Sequence, residues 1–254
     1  MKKFFLSALA ALAISCGALV FFSGRVYEAP VLMYHHVAPE GDPAGPFVSV
    51  GTFERQMEFL KLHGYKVLPL AELVGHAKTG RVPRGAVAIT FDDGNLDNIQ
   101  HAFPVLEAMN FPATVFMISD NLGRSGSLSA EDLRILSQSG VEIGSHTASH
   151  AFLPHLDPAG TEHELESSKA ALEDLLGRPV RLFSYPAGGV TQTARAAVAK
   201  AGYEGAVTTN YGSRLHDPYA LHRIKISESG GSLFNFWIKL SGFYHLGKKR
   251  IPIE

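Results

Sequence analysis

The stretch AVAITFDDG, residues 86–94, brings two adjacent carboxylates and a glycine directly after an apolar run that is typical of a buried strand. Successive strand residues point to opposite faces, so Asp92 and Asp93 can share one site only if the strand ends there. Gly94 permits a sharp turn that re-aims the second carboxylate. Adjacent like charges repel, and a divalent cation would neutralise that repulsion. The stretch predicts a strand that ends in a polar site, and a solvated Asp-Asp-Gly turn is the alternative.

Short β-rich runs alternate with helical patterns on both sides of this stretch. The predicted strands are VLMYHHV, YKVLPL, AVAITF, ATVFMI, VEIGS, RLFSY, GAVTT and RIKI, which begin at residues 31, 65, 86, 113, 141, 181, 205 and 223. Apolar residues at a period near 3.6 predict helices at 52–64, 70–78, 97–109, 129–140, 159–176, 191–201 and 232–241. Strict alternation indicates a parallel sheet with right-handed crossovers. A closed β/α barrel and an open doubly wound sheet both fit the pattern, and the strand count favours the barrel.

Composition narrows the class of protein. The chain has 254 residues, 46% of them hydrophobic, and a formal net charge of -1, which is the composition of a globular protein. The near-neutral balance argues against a nucleic-acid partner, because such binders need a strongly basic surface. No linker divides residues 29–254, which we expect to form one domain. The pattern has no G-x-G-x-x-G after its first strand, so a Rossmann dinucleotide site is unsupported.

The N-terminus differs from the rest of the chain. Two lysines precede a run without charge from Phe4 to Gly24, about the length of a helix that crosses a bilayer. We therefore expect residues 1–28 to be a signal anchor or signal peptide, with an apolar helix at residues 4–23 in the membrane. The following domain would be exported and held outside the cytoplasmic membrane. A buried core helix, a secreted protein and a lipoprotein attached through Cys16 are the alternatives.

Polar residues gather at the C-terminal ends of the predicted strands, which is the rim where β/α barrels carry their chemistry. These ends hold Tyr34-His35-His36, Asp92-Asp93, His146 with His150, and Tyr185-Pro186. In HTASH, residues 146–150, two imidazoles four positions apart can reach one ion from a helical turn. Two histidines and one carboxylate form a ligand set that leaves positions open for water and substrate. The alternative is that both histidines only cap a strand-to-helix turn.

TFDDG (90–94) and HTASH (146–150) resemble the first two motifs of the polysaccharide deacetylase family. This family comprises metal-dependent carbohydrate esterases related to chitooligosaccharide and peptidoglycan deacetylases. The resemblance covers most of residues 29–254. It implies a distorted β/α barrel, here of seven to eight parallel strands, and a divalent metal, most often Zn2+.

The resemblance also implies roles for individual residues. Asp92 looks like the general base. The metal ligands that it implies are Asp93, His146 and His150. LFSYPAGG (182–189) resembles the third motif, but Ser184 stands where the commonest form has an arginine that orients the base. Ala187 replaces a tyrosine whose backbone N–H serves the oxyanion, and Ala187 still offers that N–H.

The stretch PVLMYHHV resembles the branch of the family that deacetylates exported poly-N-acetylglucosamine. In that branch an N-terminal Tyr-His supplies the general acid, which gives this role to His35. Strand alternation predicts that His36 faces away. The usual late motif with a general-acid histidine is not found. LHRIKI (221–226) is the nearest stretch, and it reads as a strand led by Arg223. For His35 the alternative is a hydrogen-bonded core histidine.

These assignments predict a metal-dependent N-deacetylase that removes acetyl groups from N-acetylated sugar units of an extracellular or cell-wall polysaccharide. In this hypothesis Asp92 deprotonates the attacking water, the Ala187 N–H stabilises the oxyanion and His35 protonates the departing amine. The departures at Ser184 and Ala187 favour one alternative, a non-catalytic carbohydrate-binding barrel. A metal-dependent O-acetyl esterase or other amide hydrolase is the second alternative. Rim loops set the glycan and its linkage, and their shape cannot be read from the sequence.

Overall fold

The structure, a computed structural model, describes residues 28–209 and 217–244. The predicted apolar helix at residues 4–23 lies outside the described residues, so the anchor and the boundary at residue 28 stay predictions. Within the described ranges, no helix combines the length and the apolar character needed to cross a bilayer.

Parallel strands dominate the described part of the chain. In chain order they are β1 (Val31–Tyr34), β2 (His36–Ala38), β3 (Phe47–Ser49), β4 (Lys66–Val67), β5 (Ala86–Phe91), β6 (Thr114–Met117), β7 (Glu142–Ser145), β8 (Leu182–Ser184), β9 (Gly205–Val207) and β10 (Ile224–Lys225). The main sheet has the order β10-β1-β5-β6-β7-β8-β9, and β4 pairs with β5 beside this path. All pairings between these strands are parallel, as the alternation of strands and helices predicts.

The two ends of the main sheet meet at the segment 221–225. Leu221 forms a parallel bridge with Val207 of β9. Three residues later, Ile224 pairs with Leu32 of β1. The sheet therefore curls round on itself, with seven strands along its path. This arrangement agrees with the predicted distorted β/α barrel and does not fit the open doubly wound alternative.

Seven α-helices cover the sheet in the part of the chain that the structure describes. They are α1 (Val50–Leu62), α2 (Leu70–Thr79), α3 (Phe103–Met109), α4 (Ala130–Gln138), α5 (Pro158–Leu176), α6 (Gln192–Lys200) and α7 (Leu233–Leu240). Five of them begin at a residue whose side-chain oxygen accepts a backbone N–H of the first turn, which satisfies a donor that the helix leaves unpaired. These capping residues are Ser49, Ser129, Asp157, Thr191 and Ser232.

Two predicted elements are wrong in detail. The predicted strand 31–37 is interrupted at His35, because β2 leaves the main sheet and pairs with β3 instead. The predicted helix 97–109 begins with a π-helical turn, Asn98–Ala102, before α3. Pro104 has no N–H with which to continue a regular ladder of helical hydrogen bonds at this point. Both irregularities lie next to the rim that carries the polar strand ends.

One end of the barrel is filled by α2. Its apolar residues form a cluster with inward-facing residues of the strands, including Val31, Ala88, Phe116, Leu182 and Val207. The start of α2 is fixed by Glu142, the first residue of β7, whose carboxylate accepts the backbone N–H of Leu70 at 2.8 Å. The α2 helix therefore closes the end at which the strands begin, and the polar residues lie at the opposite rim.

Candidate active site

Three predicted ligands come together at the C-terminal ends of β5 and β7. Asp93, His146 and His150 each offer one ligand atom, and these atoms lie within 4.8 Å of one another. The Asp93 Oδ1 atom is 3.6 Å from the Nε2 atoms of both histidines. The two imidazole ring centres are 4.9 Å apart. One carboxylate and two imidazoles thus face a common point, as the two motifs predict.

His146 is held in the orientation that a ligand requires. It is 2% exposed, and its Nδ1 atom lies 2.7 Å from the backbone oxygen of Ser184. Because a carbonyl can only accept, Nδ1 carries the hydrogen and the Nε2 lone pair is left to face Asp93. Burial lowers the pKa of His146, and the negative charges of Asp92 and Asp93 raise it. The effect of burial is the larger, so the pKa is lowered. The neutral imidazole, which is the form that binds metals, is therefore favoured.

The backbone at this rim is strained. Asp93, Thr147, His150 and Ala187 all have a left-handed backbone, with φ of 72°, 65°, 65° and 50°. Among the other described residues that are not glycine, only Asn110 at the end of α3 has a positive φ. Such conformations cost of order 1–3 kcal/mol each and persist where the surrounding structure enforces them. Their concentration at one rim marks this region as a functional site.

The turn after β5 explains how adjacent aspartates serve one site. Asp93 and Gly94 are both left-handed, with φ of 72° and 71°. The Asp92 side chain therefore points into the barrel, 2% exposed, whereas that of Asp93 is 28% exposed on the rim. A Cβ atom at position 94 would lie 2.1 Å from the Sδ atom of Met117 and would sit on a left-handed backbone, so both space and conformation favour glycine. The predicted role of Gly94 is confirmed, and Asp93 shares in the turn.

Asp92 forms a buried ion pair with Arg223. The guanidinium donates from Nη1 to Oδ1 at 2.7 Å and from Nη2 to Oδ2 at 2.6 Å, and both side chains are at most 2% exposed. Ser184 joins the pair, because its Oγ accepts from Nη2 of Arg223 at 2.9 Å and donates to Asp92 at 3.3 Å. Burial would raise the pKa of Asp92, but Arg223 and then His146 hold it well below its usual range. Asp92 is therefore ionised, as a general base must be.

Comparison with known proteins agrees with this geometry. A family model described as polysaccharide deacetylase matches residues 79–206, about half of the chain. The chain belongs to the polysaccharide deacetylase family. Its members are hydrolases that act on amide bonds, and this chain is a hydrolase of that class. The match includes both strand-end motifs, whereas His35 and Arg223 lie outside it.

Relatives of this deacetylase cover most of its length. YxkH of Bacillus subtilis (strain 168), whose name places it among the polysaccharide deacetylases, is 34% identical over 216 residues, which are 84% of this chain and 76% of YxkH. The poly-beta-1,6-N-acetyl-D-glucosamine N-deacetylase of Staphylococcus aureus (strain N315) is 28% identical over 202 residues, or 71% of this chain and 68% of that protein. The structure of the Streptococcus pyogenes deacetylase PplD in complex with acetate has a TM-score of 0.79 at 26% identity, over 84% of this chain and 98% of PplD.

Arg223 is the residue of this deacetylase that sequence reasoning missed. Its side chain crosses the barrel interior, where Nε donates to the Thr208 carbonyl at 3.2 Å and Nη1 donates to Oγ1 of Thr90 at 3.2 Å. In the commonest third motif an arginine at the position of Ser184 orients the base. In this chain Ser184 occupies that position, and the guanidinium of Arg223 reaches the base from another strand instead. One signal for Arg223 was available in the sequence, namely an arginine at the start of an apolar strand. A buried arginine needs a carboxylate partner, so this position could have been paired with one of the strand-end aspartates.

His35 and His36 have different surroundings. Burial lowers the pKa of His35, opposed by the charges of Asp92 and Asp93. Its Nδ1 atom is buried and has no hydrogen-bond partner among the described residues, unlike the hydrogen-bonded core histidine that was the alternative. His36 instead pairs with Asp97, whose Oδ2 is 2.7 Å from Nδ1, and this hydrogen bond raises the pKa of His36. The two neighbours therefore differ in their surroundings, and because the strand is interrupted at His35, alternation along one strand does not describe their orientation.

Ala187 lies in the tight turn Pro186–Gly188 that follows β8. Within the described ranges, no acceptor takes up its backbone N–H. Its carbonyl accepts a hydrogen bond from Oγ1 of Thr209 at 3.3 Å, which ties the turn to the end of β9. A left-handed alanine with a free N–H on the rim is a group that can donate to a developing oxyanion.

Proposed function

We propose that this deacetylase is a metal-dependent enzyme that removes acetyl groups from N-acetylated sugar units of an extracellular or cell-wall polysaccharide. The observation that supports the proposal is the convergence of Asp93, His146 and His150 beside the buried, ionised Asp92. A binding protein without catalysis has no use for a base that is buried and paired beside a ligand set. Export of the domain through residues 4–23 is part of the same proposal.

Asp93, His146 and His150 would hold the metal. Their donor set, two imidazoles and one carboxylate, suits Zn2+ and related divalent ions and leaves coordination positions open. The Ser184 carbonyl already fixes the tautomer of His146 that such an ion needs. When bound, the ion supplies Lewis acidity, which makes water easier to deprotonate and polarises a carbonyl group.

The protein's own groups supply the proton transfers. Asp92 borders the ligand set, with Oδ2 4.0 Å from Nε2 of His146, and it takes a proton from the attacking water. The water oxygen bonds to the acetyl carbon while the Ala187 N–H donates to the oxyanion. The C–N bond then breaks, and His35 in its protonated form gives a proton to the departing nitrogen. The proton that Asp92 took up is released before the next turnover and His35 takes up another. The products are acetate and a free amino group on the sugar.

The proposed glycan is poly-β-1,6-N-acetylglucosamine. The relative from Staphylococcus aureus is named for this polymer. The stretch PVLMYHHV at the start of β1 resembles the same branch of the family. Both observations point to the same polymer as the substrate.

Acetate release from defined glycans tests the proposed function. We expect the full chain to release acetate from β-1,6-linked poly-N-acetylglucosamine faster than from chitooligosaccharides or peptidoglycan fragments. A chelator should stop the release and added Zn2+ should restore it, because the ligand set is open and partly exposed. Glycan binding without acetate release would indicate the binding barrel. Release from O-acetyl esters alone would indicate the esterase.

Replacing His35 with glutamine tests the general acid. We expect kcat to fall by about 10²–10⁴-fold, the usual contribution of a positioned acid or base, with metal content unchanged. His36→Gln is the matched control, because His36 pairs with Asp97 and should retain activity. Equal losses in the two variants, measured by acetate release and metal analysis, would contradict the role of His35.

A further inference from the structure

The α7 helix presents apolar side chains on two faces. Phe236 and Leu240 are buried, and the Phe236 ring packs edge-on against Phe59 of α1 at 6.0 Å. The rest of the helix surface exposes four large apolar side chains to solvent. These residues, called the α7 face below, are Leu233, Phe234, Trp237 and Ile238.

The α7 face is unusual within the described chain. The described residues include seven large hydrophobic side chains that are exposed to solvent, and four of the seven lie on this one short helix. Phe234 and Trp237 are 67% and 50% exposed, and their ring centres lie 6.0 Å apart, so they form one patch. Isolated exposed apolar residues need no explanation, whereas a contiguous patch marks a contact surface. The core requires only the buried face of α7.

The N-terminal segment leaves the domain beside α7. The Glu28 N–H donates to the Gly242 carbonyl at 3.1 Å, two residues after the helix ends. The uncharged run ends at Gly24, four residues before Glu28. Four residues span at most about 15 Å even when fully extended. A membrane helix at residues 4–23 would therefore hold this end of α7 close to the bilayer surface.

The direction of α7 decides how the barrel would lie. Before the helix begins, Glu228 accepts the Ser49 N–H at 2.8 Å at the start of α1, on the side of the catalytic rim. At its other end, Gly242 meets Glu28, which precedes β1. The helix thus runs along the flank of the barrel from the catalytic rim to the rim at which the chain enters. Contact along this flank leaves the catalytic rim open.

We propose that the α7 face rests on a lipid bilayer next to the membrane segment at residues 4–23. Tryptophan and phenylalanine on one face of a short helix are typical of interfacial contacts, because their rings settle at the headgroup level. The sequence after the described residues reads GKKR at 247–250, which adds charges that attract anionic lipids. The contact orients the barrel on its side above the membrane.

Trp237 is the only tryptophan of the chain, so its fluorescence reports this contact directly. The experiment reconstitutes the full chain into vesicles of phosphatidylcholine and phosphatidylglycerol, with or without lipids that carry a quencher near the headgroup. We expect headgroup-level quencher to reduce Trp237 emission by about half, because the ring lies at the interface. Equal emission with labelled and unlabelled lipid overturns the proposal. Quenching that depends on protein density but not on the label indicates a second copy of the chain and also overturns it.

Polar substitutions on the same helix give a second measurement. The triple variant Leu233→Ser, Phe234→Ser, Ile238→Ser retains Trp237 and changes only exposed residues. We expect it to lose most of the headgroup-level quenching while its kcat on a soluble oligosaccharide is unchanged. Ile135→Ser, an exposed apolar residue of α4, is the matched control and should keep the quenching. The inference rests on the membrane segment at residues 4–23, which is part of the proposed function. This readout does not require catalysis, so its failure can be distinguished from failure of the proposed deacetylation.

Discussion

Asp92→Asn is expected to abolish deacetylation while leaving the metal content unchanged. Loss of the general base should reduce kcat by about 10²–10⁴-fold. Asparagine has nearly the same shape and can still accept one hydrogen bond from Arg223, but it leaves the buried guanidinium without its counter-charge. We therefore expect the variant to lose about 3–5 kcal/mol of the free energy of unfolding, and its folding is checked on the same preparation. The ligand atoms belong to Asp93, His146 and His150, which the substitution does not touch. Acetate release and metal analysis on the same preparation test the prediction.

Asp97→Asn is the matched control for this variant. Asp97 is also an aspartate near the rim, but its partner is His36, and its carboxylate is not part of the ligand set. We expect its kcat to stay within a few-fold of the unchanged protein. If Asp92→Asn lost its metal to the same extent as His146→Ala, Asp92 would be a ligand and its role as base would have to be abandoned.

Arg223→Met is expected to have a large effect on stability. Removing one partner of a buried ion pair leaves an uncompensated charge, which costs about 3–5 kcal/mol of the free energy of unfolding. The double variant with Asp92→Asn should be less destabilised than Arg223→Met alone, because the buried charge is then gone as well. Urea denaturation of the single and double variants measures this coupling. Simple addition of the two losses would contradict a direct interaction.

Exchanging Ser184 and Arg223 tests whether the guanidinium positions the base. The two side chains are in contact, with Nη2 of Arg223 2.9 Å from Oγ of Ser184. We expect Arg223→Ser to lower kcat with little change in KM, and Ser184→Arg in the same chain to restore part of kcat. Ser184→Arg returns an arginine to its place in the commonest third motif. Recovery of stability without recovery of kcat would show that Arg223 serves the fold alone.

Most of the fold could be predicted because strands and helices alternate with strong apolar periodicity. The predicted helix at 159–176 corresponds to α5, Pro158–Leu176, and the strand 86–91 corresponds to β5. Irregular elements could not be predicted. The break at His35 depends on pairing between β2 and β3, and periodicity along one strand carries no information about its partner.

The ligand set could be predicted because its members lie in two short motifs at strand ends. The pairing of Arg223 with the base could not be predicted, since Asp92 is 131 residues away and the contact passes through the barrel interior. Spacing along the sequence reports on residues within one turn or one strand. A side chain that arrives from a distant strand is visible only once the strand order is known.

This long separation has a consequence for how the enzyme is made. Proteins are synthesised from their N-terminus, so the residues of β5 to β9 emerge before Arg223. Until then the carboxylate at position 92 lacks the counter-charge of Arg223, and the two edges of the sheet cannot meet at the segment 221–225. Closure of the barrel and completion of the base are therefore the same event. A nascent chain thus carries its ligand residues before it gains a competent base.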